Sequence, residues 1–139
     1  MTTHMTGDRL AAIDWDQVVL DLDAQGGAVI KRLIAPAECQ AMAALYSMDK
    51  LFRSRVVMAQ HGFGRDFSGG EFVMTEQRPR MQSRAMVLPL RQGDAAVIAV
   101  HHRPVQGTRG MYRVNLRHGV SHVRAGQRHT AGIIFHDAA

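Results

Sequence analysis

The sequence has one cysteine, Cys39, in 139 residues. That excludes an internal disulfide and any zinc cluster built on thiolates, and it fits a reducing cytoplasm. Lysine is scarce, since fifteen of the seventeen basic residues are arginine. No long apolar run exists; the longest useful one, Ala95 to Val100, is far too short to span a membrane. The N-terminal stretch MTTHMTGDRLAAIDWDQ holds no apolar segment of signal-peptide length, so export is not expected. The glycines of HGFGRDFSGGEF have neither the spacing of a phosphate-binding loop nor its lysine. Internal repeats and low-complexity segments are missing as well. None of the eight histidines is followed two positions later by Asp or Glu.

What is present reads as one globular domain over 1–139, with 46% apolar and 21% charged residues. The net charge of +5 is unevenly spread. Residues 1–77 carry seven basic and ten acidic side chains, whereas 78–139 carry ten and two. The basic C-terminal part suits a polyanion such as nucleic acid, or a dianionic small molecule. An ordinary arginine-rich surface is the simpler account of it. The nine methionines are scattered and read as core filler.

Along the chain, Trp15, Val18, Val19 and Leu22 fall on one helical stripe, which predicts a helix over 14–25. Asp14 is its N-cap, and Gly26-Gly27 stops it. A strand is expected from Ala28 to Leu33. Pro36 then opens a second helix, with Cys39, Met42, Ala43 and Tyr46 as its apolar stripe; Cys39 reads as a core residue. Leu51 to Ala59 reads as a strand or irregular edge segment. The glycines before Glu71 mark a tight turn. Short strands follow at Phe72–Met74, Ala85–Leu90 and Gly93–Val100, and His101–Gly107 reads as a loop over a pocket mouth.

The chemistry concentrates in HGVSHVRAGQRHTAGIIF, residues 118–135. Tyr112, Val114, Leu116 and His118 alternate with polar residues, the period of a half-buried strand, so His118 shares the apolar face. Arg124-Ala125-Gly126 reads as a turn leading into a second strand, Arg128 to Phe135. Two such strands would hold an imidazole, able to ligate a metal, near a guanidinium, which matches a carboxylate fork to fork. Taken alone, a histidine ending a strand is more often a structural residue.

A histidine, nine intervening residues, then Arg128 and an apolar strand resembles the distal half of the Fe(II)/2-oxoglutarate dioxygenase motif, in its prolyl-hydroxylase-like branch. The helix–GGAVI–IAPAEC lead-in, the DFSGGEF turn and the PLRQGDA segment resemble that family too. The resemblance implies an α+β fold in which two N-terminal helices pack on a double-stranded β-helix, a jelly-roll-like antiparallel sheet, shortened here. Residues 1–60 would be the helical lead-in and edge strand, and 61–139 the jelly-roll core. It implies His118 as a ligand of Fe(II), and Arg128 with Thr130 as the seat of 2-oxoglutarate. The implied reaction hydroxylates or oxidatively demethylates a substrate while 2-oxoglutarate becomes succinate; one similar bacterial group is associated with damaged nucleic acid.

The departure from the pattern is the proximal His-x-Asp or His-x-Glu, which completes the iron's facial triad in the family. Its absence puts catalysis in doubt, unless His61 with Asp66 or Glu71 supplies replacement ligands. The alternative is a non-catalytic basic module binding nucleic acid or another polyanion on the same scaffold. Missing strands would also leave open sheet edges, through which copies could associate.

Overall fold

The computed structural model describes residues 3–45 and 67–133. Three helices come first: α1 (Thr3–Ala11), α2 (Trp15–Gln25) and α3 (Pro36–Leu45), with strand β1 (Gly27–Ile30) between the last two. Seven strands follow: β2 (Phe67–Gly69), β3 (Phe72–Gln77), β4 (Arg84–Leu88), β5 (Ala95–Ile98), β6 (His102–Gly107), β7 (Gly110–Val120) and β8 (Val123–Gly126). All pairings are antiparallel, giving sheets β1-β5, β2-β8 and β4-β3-β7-β6. The α+β class is as expected.

β1 is the centre of the layering, because its period of two serves two cores at once. Ala28 and Ile30 turn to α2 and pack with Val18, Ile13 and Leu22. Val29 turns the other way, onto the cluster of Phe72, Met74, Leu88 and Leu116 on the four-stranded sheet. Burying each such aliphatic side chain contributes about 1.5–3 kcal/mol. β5 lies beside β1 and adds Ala96 and Ile98 to the same cluster. The order is therefore helix, two-stranded sheet, four-stranded sheet. Gly27 makes the close approach possible: a Cβ there would sit 2.8 Å from the Met74 sulfur.

Helix α2 begins as expected, with the Asp14 carboxylate accepting from the Gln17 backbone N–H at 2.9 Å. It ends on Gly26 (φ +81°), whose N–H bonds the Leu22 carbonyl. Its apolar stripe is narrower than predicted. Val18 is buried, but Trp15 and Val19 are more than half exposed, because among the described residues the helix packs mainly on β1.

Arg103 from β6 joins this helix to the sheet. Its guanidinium bonds both the Asp23 carbonyl, at 2.8 Å, and the Glu76 carboxylate of β3. Arg78 takes the other Glu76 oxygen. Desolvation would raise the Glu76 carboxyl, but the two arginines outweigh it and hold it below its ordinary value. At the lead-in, Glu38 accepts from the Ala35 N–H, capping α3, and forms a two-point pair with Arg9 of α1. That pairing holds its carboxyl down at about 2.

Several expectations are corrected. Helix α1 was not anticipated, since its residues show no apolar stripe. Strand β1 stops at Ile30, because Arg32 takes φ +53° and the chain turns. Cys39 is half-buried rather than core, as α3 buries no residue completely. His101–Gly107 is not a loop: β6 pairs with β7 from His102 onward, tolerating Pro104 because it is an edge strand. Arg124 and Ala125 are not a turn but part of β8, paired with β2, although Gly126 does take the positive φ expected of it. Past Arg128 only isolated bridges at His129 and Thr130 remain, and residues 131–133 are in no strand. Tyr46, Leu51–Ala59, His61, Asp66, Ile134, Phe135 and His136 lie outside the described residues.

Candidate functional site

The site is built where β3 and β7 run out past their last paired rung, Phe72 opposite Val120. There Glu71 and Ser121 bind each other three times. The Glu71 N–H donates to Ser121 Oγ at 2.9 Å, the Ser121 N–H donates to the Glu71 carbonyl at 2.9 Å, and the Ser121 hydroxyl donates to the Glu71 carboxylate. One residue further on, the Gly70 N–H donates to the His122 carbonyl at 3.1 Å. Gly69 and Gly70 both have positive φ, +74° and +69°, a conformation in which glycine pays no Cβ penalty. This turn presents the Gly70 carbonyl inward.

Arg128 takes that carbonyl. Its Nη1 donates to Gly70 O, its stem lies against Gly70, and its guanidinium carbon sits 6.0 Å from the centre of the Phe67 ring. Only 8% of Arg128 is exposed. Burial lowers its pKa from the ordinary value, with the nearby Glu71 charge working the other way. Glu71 itself is held low, first by the Ser121 hydroxyl, then by its own backbone and by Arg124 and Arg128. Arg124 stands 3.7 Å from its other oxygen.

Two buried polar atoms at this place make no hydrogen bond among the described residues: Arg128 Nε and Thr130 Oγ1. An unpaired buried polar atom costs about 1–3 kcal/mol, more when charged. A guanidinium N–H and a hydroxyl are each able to donate to an anionic oxygen.

His118 lies on β7 opposite Met74, on the face that carries Val114 and Leu116, as its alternation predicts. It is exposed nonetheless, because the covering sheet does not reach it. Its imidazole stacks on Phe72, with ring centroids 5.9 Å apart and planes 19° apart. No hydrogen bond joins His118 to Arg128 among the described residues. The structure thus buries Arg128 against Gly70, leaves Thr130 half-buried two residues further on, and leaves His118 exposed against Phe72. Sequence reasoning missed Ser121 and gave Glu71 a different part; their signal was the glycine pair before Glu71, which only pairing with β7 explains.

A metal does not fit the described residues. No three His, Cys, Asp or Glu side chains converge among them. His118 alone cannot fix a coordination geometry. Glu71 is already engaged by Ser121 and Arg124. A cleft of about 400 Å³ lies between α1, α2 and the end of β1, but Arg9, Asp14, Asp21 and Arg32 line it with mixed charge and none of them is a site residue expected from the sequence.

Fold and site define an α+β domain with antiparallel sheets that buries an arginine against a glycine turn. Residues 29–138 match the model of a family described as oxygenases catalysing oxidative methylation of damaged DNA. The chain belongs to that oxygenase family. It is also 49% identical, over 74 residues, to uncharacterized proteins from two strains of Mycobacterium tuberculosis. The matched stretch is 53% of this chain and 32% of each relative, so the chain spans about a third of their length. No solved structure matches it. Among the described residues, no helix is long and apolar enough to cross a membrane.

Proposed function

We propose that this chain carries the cosubstrate-binding part of an Fe(II)/2-oxoglutarate-dependent oxygenase of the prolyl-hydroxylase-like branch, acting on nucleic acid. The sheets would be the remaining part of a jelly-roll core. Arg128 and Thr130 bind the distal carboxylate of 2-oxoglutarate, and the observation that carries this is their open buried donors, Nε and Oγ1. The Gly70 carbonyl fixes one edge of the guanidinium, leaving the other for the ligand. His118 is the residue the resemblance offers as an iron ligand; Glu71, the other described candidate, is already held by Ser121 and Arg124. Because the remaining ligands are not among the described residues, no oxidation step is assigned to the metal. The family description supports damaged DNA as the substrate.

Without metal, a charge-assisted carboxylate contact worth about 1.5–3 kcal/mol corresponds to millimolar affinity at best. Calorimetry should show 2-oxoglutarate and succinate binding in that range, with Arg128→Met losing tenfold or more and Thr130→Val losing less. Equal binding by Arg128→Met and the parent chain would overturn the assignment. Anaerobic titration with Mn(II), comparing the parent with His118→Ala, tests the metal part separately. A second reading, a non-catalytic polyanion-binding module, is favoured by the basic excess of residues 78–139. It predicts salt-sensitive nucleic-acid binding with no succinate formed. Light scattering on the purified chain checks whether the sheet edges at β4 and β6 pair between copies.

A further inference from the structure

The four-stranded sheet has one face covered by β1 and β5 and another that nothing described covers. Alternation assigns each residue to a face. Phe72, Met74, Val114 and Leu116 point inward and are buried. Arg113, Asn115 and Arg117 of β7 point outward and are exposed, with Thr75 opposite Arg117 and Gln77 opposite Asn115. A shallow cleft of about 290 Å³ opens beside Thr75, Arg117 and Ser121.

The charge on this face is one-sided. Glu76 is the only acid in all four strands, and it points inward, held by Arg103 and Arg78. The other acids between 67 and 133 are also engaged: Glu71 by Ser121 and Arg124, Asp94 by the backbone N–H groups of Arg32 and Arg91. Arg113 and Arg117, together with Arg109 at the tip of the β6–β7 hairpin, therefore have no carboxylate partner among the described residues. Four residues of strand put Arg113 and Arg117 roughly 13 Å apart. Two guanidinium groups on one strand, with hydroxyl and amide groups between them, suit a run of phosphates, which accept from such donors without regard to sequence.

We propose that this outer face of β3 and β7, with Arg113 and Arg117 at its centre, is the surface on which a nucleic-acid backbone docks. The proposal rests on the nucleic-acid part of the function above and is independent of the Arg128 pocket. Docking on the outer face leaves His118, on the opposite face of β7, exposed.

Fluorescence anisotropy with a labelled single-stranded oligonucleotide, from about 50 to about 200 mM salt, tests it. The double variant Arg113→Gln/Arg117→Gln should bind more weakly and lower the slope of log K against log salt by about 1.4, the release of two phosphate contacts. Arg91→Gln, in the β4–β5 turn, should move the slope much less. Circular dichroism should show the double variant folded, since both side chains are exposed. An unchanged slope in the folded double variant, or an equal loss in Arg91→Gln, overturns the surface. Stronger competition by heparin than by unlabelled single strand at equal charge overturns the commitment to nucleic acid. Arg128→Met should bind the oligonucleotide normally while losing 2-oxoglutarate, so failure of either proposal is read apart from the other.

Discussion

Ser121 and Glu71 hold one another through backbone and side chain together, and that lock aims the carbonyl of the preceding glycine at Arg128. An arginine with many rotamers becomes a fixed donor only if something determines which way it points. Here the determinant lies on two other strands. Residues 71 and 121 are far apart in the chain and meet only because β3 pairs with β7.

Removing the hydroxyl should therefore act on Arg128 without touching it. Ser121→Ala is expected to weaken dicarboxylate binding several-fold by calorimetry, while Ser121→Thr, which keeps the oxygen, restores most of it. The Glu71 carboxyl, held low first by Ser121, should titrate closer to its ordinary value in Ser121→Ala. Carbon-detected NMR titration reads that shift directly; an unmoved Glu71 resonance would refute the lock.

The Arg103–Glu76 pair makes a different prediction. Arg103→Met strands a largely buried carboxylate with Arg78 alone, and breaking such a pair costs about 3 kcal/mol. Replacing both, Arg103→Met with Glu76→Met, should recover much of the loss, because the desolvation penalty goes with the charges. Urea denaturation of the two single variants and the double measures the coupling. Additive losses would mean that the pair does not act as a unit.

Glu38 links the lead-in to pH. Its folded carboxyl lies at about 2, below the ordinary 4.5, with the Arg9 hydrogen bonds as the main cause. A depressed carboxyl contributes stability above its unfolded pKa, and that contribution is lost as pH falls from about 4.5 through 2. The midpoint of urea unfolding should fall over that window in the parent chain and fall less in Glu38→Gln. Parallel curves for the two would remove Glu38 from the acid response.

How much of this was readable beforehand differs from residue to residue. Asp14 and Gly26 announce their helix ends because capping is a local transaction within a few residues. His118 announces its face because β alternation is local too. β6 was hidden by Pro104 and its polar neighbours, which forbid a central strand but not an edge one. β8, where a turn was expected at Arg124, was hidden for a different reason: it finds its partner in β2, more than fifty residues away in the chain.

The order of residues was enough by itself to determine an α+β chain, the faces of its main strands and the arginine-rich second half. Local propensity and alternation act over a few residues and need no partner. Only the tertiary structure decided that Arg128 is buried against Gly70, that Glu71 and Ser121 hold that turn, and that Glu76 is turned inward away from a basic outer face. Those outcomes depend on which strands pair and in what register, and a single rung of slip would have exchanged every inward side chain for an outward one.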